Sequence, residues 1–138
     1  MPKLVAVDTG PLVGLFARND RYHAAAVSFF REFRDAGVVT VPVIAEVMWL
    51  LDFRVDAQLD FLRWIRRGAL KIVDLLEDDW DRIAKLTEKY ADLPIDFADS
   101  AIVATCERLG IRSIASCDHH FEIYRYKDRQ AFRNIFPL

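Results

Sequence analysis

A chain of 138 residues and 16.0 kDa has room for one domain with its own apolar core, and not for two comfortable ones. Hydrophobic residues make up 53% of it, ten Phe among them, which excludes the disordered and fibrous classes. A net charge of -2 excludes bulk electrostatic capture of nucleic acid, so any polyanion must be held by a local basic patch.

The first residues, Met1 to Val7, lack the charged segment and long apolar stretch of an export signal, and no apolar run reaches the roughly 18 residues of a membrane span. Only Cys106 and Cys117 could pair, and so few cysteines in a core-rich chain point to free thiols in a reducing compartment. The expectation is a soluble cytoplasmic protein without membrane contact.

In chain order, Leu4 to Val7 is a short apolar run suited to a buried strand. Asp8-Thr9-Gly10-Pro11 then turns into a helix, with Thr9 or Gly10 as its cap and the proline just inside the start. Tyr22, Ala25, Ala26, Phe29, Phe30, Phe33 and Ala36 recur at helical spacing, which predicts a helix ended by Gly37 and a strand over Val38 to Val41. Val43 to Phe53 is apolar almost all round, as a helix sunk in the interior is. Asp56 to Arg67 follows as an amphipathic helix, with Leu59, Leu62 and Ile65 inward and Arg63, Arg66 and Arg67 outward. Lys71 to Leu75 reads as a strand, and Trp80, Ile83, Ala84, Leu86, Thr87 and Tyr90 as one helix. Asp96 to Leu109 is another helix, stopped by Gly110, and Arg112 to Cys117 a further strand. His119 to Tyr124 is expected as a short helix and Arg133 to Phe136 as an edge strand. Strands separated by helices require crossovers, so the predicted architecture is a three-layer α/β/α sandwich around a parallel sheet of four to five strands.

Four carboxylates stand where burial is expected: Asp8 at the end of the first strand, and Glu46 alone in Val43-Ile44-Ala45-Glu46-Val47-Met48. Asp99 lies in Phe97-Ala98-Asp99-Ser100-Ala101-Ile102, and Asp118 follows Ile114-Ala115-Ser116-Cys117. Burying an unpaired carboxylate costs several kcal/mol, so such groups gain a partner, a proton or a cation. Open parallel sheets gather their ligands beyond the carboxyl ends of the strands. Asp8 and Asp118 sit at strand ends, Glu46 in the first turns of a helix leaving a strand, and Asp96 and Asp99 at the start of a helix that runs back towards the opposite edge. All are therefore expected at one rim. Like charges gathered there call for a cation, and oxygen ligands select a hard one, Mg2+ or Mn2+. The chemistry implied is phosphodiester hydrolysis by a metal-activated water, without a covalent enzyme intermediate.

These segments, in this order, resemble the four acidic motifs of PIN-domain nucleases, VapC-type toxins in particular. The resemblance runs from Lys3 to about Tyr124. It implies that Asp8, Glu46, Asp99 and Asp118 are metal-coordinating catalytic residues, that Thr9 and Ser116 assist through water or backbone contacts, and that Asp96 is an extra acid present in some members. It further implies an RNA substrate, a homodimer, and a small antitoxin partner. His119-His120 departs from the pattern, since many relatives carry an acidic or basic residue near the fourth acid.

Taken singly, each residue has a plainer reading. Asp8 and Asp96 are of types that cap helices, Glu46 could pair with an arginine, and Asp99 and Asp118 could be ordinary turn residues. Cys117-Asp118-His119-His120 is a poor zinc site, because adjacent side chains close a tetrahedron badly. Arg18, Arg63, Arg66, Arg67 and His119 are candidates for RNA contact, as are Arg21, Arg125 and Lys127, against the alternative of a solvated surface. The Phe29, Phe30 and Phe33 stripe is most simply core, with any exposed part available to an antitoxin. Gly10 stands where a haloacid-dehalogenase phosphatase needs a second Asp, and neither a dinucleotide fingerprint nor a P-loop is present. The competing functions are a housekeeping RNA-processing nuclease of the same fold and a non-catalytic module that docks RNA or protein.

Overall fold

The computed structural model describes residues 2–138. Its centre is β1 (Leu4–Val7), flanked in parallel by β2 (Ala36–Thr40) on one side and β4 (Ser113–Ala115) on the other. Beyond β2 lies β3 (Lys71–Val73), and beyond β4 lies β7 (Arg133–Asn134). The sheet is five-stranded, parallel throughout, in the order β3-β2-β1-β4-β7. The helices are α1 (Thr9–Phe16), α2 (His23–Glu32), α3 (Val41–Leu50), α4 (Val55–Arg66), α5 (Glu77–Lys89) and α6 (Phe97–Leu109), with a 3-10 turn at His119–Glu122.

Side chains leave successive strand residues on opposite faces, and both faces are covered. Val5 and Ala115 pack with Ala26 of α2 and Phe136. Their neighbours Ala6 and Ile114 belong to the larger core with Leu12, Val43, Val47, Phe61 and Ile102. Within that layer α6 is buried all round from Ala98 to Cys106. Small residues (Ala98, Ser100, Ala101, Ala104) let it lie close to α3 and α5, and its C-terminus is closed by Gly110 in the left-handed conformation, φ 72°. No helix of the described residues is long and apolar enough to cross a membrane.

The order and type of these elements match expectation, but four details differ. The helix expected to run to Ala36 stops at Glu32, because Ala36 and Gly37 pair with Leu4 and Val5 as the start of β2. α1 is capped by Asp8 rather than by Thr9 or Gly10. α3 is not sunk in the interior: Trp49 and Leu50 at its end are exposed, and Phe53 beyond it is too. In α4 the inward face is Ala57, Phe61 and Ile65, while Leu59 and Leu62 are exposed. The expected three-layer architecture stands.

A hairpin of β5 (Arg125–Tyr126) and β6 (Gln130–Ala131) was not anticipated. Its turn places Lys127 and Asp128 at φ 49° and 63°, the left-handed region that side chains enter at a cost. Charge holds it there. Asp128 accepts from Arg82 and Lys89 of α5, and the Lys127 amide donates to Glu107 of α6, which also takes a two-pronged contact from Arg82. Fixing this hairpin fixes the residue that leads into it, Tyr124.

Candidate metal centre

Asp8 leaves β1 at the carboxyl edge of the sheet, only 5% exposed. One carboxylate oxygen, Oδ1, accepts the Thr9 amide at 2.8 Å and so starts α1, while Oδ2 accepts the Ser116 hydroxyl at 2.8 Å. The Ser116 Oγ in turn accepts the Asp118 amide at 2.9 Å, so one buried hydroxyl ties the ends of β1 and β4 together. Asn134 of β7 holds Ser116 from behind, accepting its amide at 3.1 Å and donating to its carbonyl at 2.9 Å. Gly10 is needed for this closeness. A Cβ there would stand 2.7 Å from the Cβ of Cys117 and 2.8 Å from its Sγ.

Asp99 enters from the first turn of α6. Asp96 caps that helix by accepting the Asp99 amide at 2.8 Å, and the buried Tyr124 hydroxyl donates to Asp99 Oδ2 at 3.2 Å. Asp118 Oδ1 accepts the His120 amide at 2.9 Å, and the ring Nδ1 of His120 lies 3.3 Å from the same oxygen. Asp99, Asp118 and His120 each offer a ligand atom, and these atoms all lie within 4.8 Å of one another.

Electrostatics set this cluster apart. Burial above all, with Asp118 and Glu46 adding to it, pushes the Asp8 carboxyl up to about 6 despite the Ser116 and Thr9 hydrogen bonds. Burial likewise raises Asp99 to about 8, helped by the charges of Asp8, Asp96 and Asp118 and opposed by the Tyr124 hydrogen bond. The charges that raise these two groups are those of Asp8, Glu46, Asp96 and Asp118, and among the described residues no lysine or arginine pairs with Asp8, Glu46, Asp99 or Asp118. The arginine partner that would have explained Glu46 is not there. Thr9 adds a buried hydroxyl without a hydrogen-bond partner beside Asp8.

Carboxylate oxygens, one imidazole and an unpaired hydroxyl fit a divalent cation that prefers oxygen. Cys117 does not extend the set towards zinc: its thiol is not among the ligand atoms that converge, which belong to Asp99, Asp118 and His120.

The structure thus brings Asp8, Asp99 and Asp118 together, with Ser116 and Thr9 beside them. The compact ligand group is Asp99, Asp118 and His120; Asp8 is joined to Asp118 through Ser116, and Glu46, half-buried on α3, reaches Asp8 only as a neighbouring charge. Asp96 is exposed and acts as a cap. Arg18, Arg63, Arg66 and Arg67 are exposed, and His119 faces Glu122 at 3.7 Å rather than the acids. Sequence reasoning missed Tyr124 and Asn134, and weighed His120 only within a poor zinc set. Only the adjacency of His120 to Asp118 was a signal, because topology alone carries the other two to the pocket.

Comparison with known proteins agrees with this geometry. The PIN domain family model matches residues 5–126. Ribonuclease VapC26 of Mycobacterium tuberculosis is 33% identical over 122 residues, covering 86% of this chain and 90% of that protein. Among solved structures, M. tuberculosis VapC20, described as a sarcin-ricin loop cleaving toxin, superposes with a TM-score of 0.75 at 18% identity, over 83% of this chain and 90% of that one. A toxin–antitoxin complex from Klebsiella pneumoniae gives a TM-score of 0.64 at 16% identity, over 83% and 87% of the two chains. VapBC2 of Rickettsia felis, bound to a promoter DNA fragment, gives 0.63 at 14%, over 87% and 92%. Carboxylates crowded at the edge of a parallel sheet, a family match over most of the length and a ribonuclease relative of nearly the same extent lead to one assignment: the chain belongs to the PIN domain family and, within it, to the VapC-type ribonucleases.

Proposed function

We propose that this protein is an endoribonuclease dependent on Mg2+ or Mn2+ and the toxin of a toxin–antitoxin pair. The observation that carries the reading is the meeting of Asp8, Asp99 and Asp118 in a partly buried pocket at the sheet edge, the first two buried and the third 39% exposed, where neighbouring acids raise both buried carboxyls. Such a pocket is tolerable at neutral pH when a cation shares it.

In this reading Asp8, Asp99 and Asp118 hold the ion and Glu46 completes the set from α3. A bound divalent ion supplies Lewis acidity, lowering the pKa of a water and offsetting charge on the phosphate under attack. The protein's own part is positional. Ser116 keeps Asp8 and Asp118 at a fixed separation, and Tyr124 orients Asp99. Thr9 offers its unpaired hydroxyl beside Asp8. Arg18, Arg63, Arg66, Arg67 and His119, all exposed, are available for phosphates along the RNA.

A protein partner is supported by the exposed apolar side chains of α3, α4 and the turn between them: Trp49, Leu50, Phe53, Val55, Leu59 and Leu62. Toxin–antitoxin complexes among the structural neighbours make an antitoxin the natural occupant, and a homodimer is part of the same reading.

Purified protein is expected to cut RNA with added Mn2+ or Mg2+, to stop on chelation, and to lose cleavage in Asp8→Asn and Asp99→Asn. Undiminished cleavage by both variants overturns the assignment. Expression is expected to arrest growth until a small protein encoded beside it is supplied; harmless expression alone contradicts the toxin role.

A further inference from the structure

We infer that His120 is a direct ligand of the divalent ion, which makes the centre a mixed carboxylate–imidazole site that favours Mn2+ over Mg2+; this rests on the metal-dependent reading above. Three features of the turn after β4 support it. The ligand atoms of Asp99, Asp118 and His120 fall within 4.8 Å of one another, and His120 Nδ1 is 3.3 Å from Asp118 Oδ1. Ligands bonded at about 2.1 Å stand roughly 3 Å apart when adjacent and roughly 4 Å apart when opposite, so a small closing movement brings all three onto one ion. Secondly, the imidazole is placed from two sides. Its backbone amide donates to Asp118 at 2.9 Å, and its ring lies 6.1 Å, centroid to centroid, from Tyr124, which itself holds Asp99. Lastly, the neighbouring histidine differs: His119 has 72% of its side chain exposed and faces Glu122, whereas the His120 side chain is 45% exposed.

Ligand type then sets the preference. Mg2+ takes oxygen ligands and gives up water reluctantly, while imidazole suits transition ions. An acidic set alone accepts either ion. A set with one nitrogen discriminates.

The test uses the full chain without RNA, with Mn2+ and Mg2+ as probes. Pulsed EPR of bound Mn2+ is expected to show coupling to a directly bonded 14N that vanishes in His120→Ala. Thermal-shift titration of that variant is expected to show Mn2+ affinity falling about tenfold or more, with Mg2+ affinity changing less than about threefold. The His119→Ala variant is expected to match the parent protein. Because alanine at 120 keeps the backbone N–H that donates to Asp118, the turn survives the change, and the EPR of the unaltered protein stands regardless of the variant's behaviour. Mn2+ bound without 14N coupling, or coupling that persists in His120→Ala, overturns this inference alone. Failure of both ions to bind overturns the metal-dependent reading with it.

Discussion

Replacing Asp99 with asparagine should stabilise the metal-free protein, even though it is expected to destroy activity. Folding raises the Asp99 carboxyl from its ordinary 3.8 to about 8, chiefly by burial and then by the nearby acids. Between those values the native state keeps a proton that the unfolded chain has released, so stability falls as pH rises, by roughly 1.4 kcal/mol per unit for a single group. Below pH 4 both states are protonated and nothing is lost; above pH 8 both are ionised and the penalty is constant. By pH 7 the loss is on the order of 4 kcal/mol. Asp8, raised to about 6, acts in the same direction. Asparagine removes the charge, keeps the shape, and leaves an oxygen for the Tyr124 hydroxyl. In EDTA at pH 7.5, Asp99→Asn is therefore expected to melt higher than the parent by about 10 °C, with most of the gain gone at pH 4.5. Saturating Mn2+ should raise the parent's melting temperature, by about 2.7 kcal/mol of stability at a hundred times Kd, and leave the variant nearly unmoved. A variant that melts at or below the parent at pH 7.5, or a parent whose melting temperature does not fall between pH 5 and 8 in EDTA, would refute the reasoning.

Tyr124→Phe keeps the ring packed against Tyr90 and Phe121 but strips Asp99 of its donor. It should leave the fold stable and weaken metal binding about tenfold in a calorimetric titration. Gly10→Ala forces its Cβ into Cys117 and is expected to cost about 1–3 kcal/mol in urea unfolding, with partial rescue by Cys117→Gly. On α4, Phe61→Ala should cost about 3–5 kcal/mol and the neighbouring Leu62→Ala much less, because Phe61 is wholly buried and Leu62 is 40% exposed. Equal losses would place the helix in the wrong rotation.

The sheet and the acids were legible because each carries a local mark. A short apolar run ending in Asp reads as a buried strand with a carboxylate at its tip, and Asp8 and Asp99 are buried as that reading expects, whereas Glu46 is only half-buried on α3. Helix limits and phases were less legible where tertiary pairing competes with periodicity. The aromatic stripe of α2 continues in spacing to Ala36, but Ala36 and Gly37 are claimed by the register with Leu4 and Val5. Along α4, apolar residues at 57, 59, 61, 62 and 65 support two rotations, and the stripe at 57, 61 and 65 is the one the core takes. The all-apolar reading of α3 failed for a different reason: an apolar side chain left on the surface, such as Trp49 or Leu50, has the same sequence signature as one that packs in the core. Nothing local announces the hairpin after Tyr124. Its turn is Lys127-Asp128, not a glycine pair, and it is fixed by Arg82, Lys89 and Glu107 from helices far back in the chain. Tyr124 was invisible as a site residue for the same cause, since in an aromatic-rich segment it reads as core until the fold sets its hydroxyl on Asp99.

The central claim is that these carboxylates gather to hold a divalent ion. Anomalous diffraction from a crystal of the unaltered protein soaked in Mn2+ tests it most directly. A single strong peak among the oxygens of Asp8, Asp99 and Asp118 is the result expected. Density confined to surface carboxylates, with those three oxygens empty or turned onto lysine or arginine side chains, would contradict it.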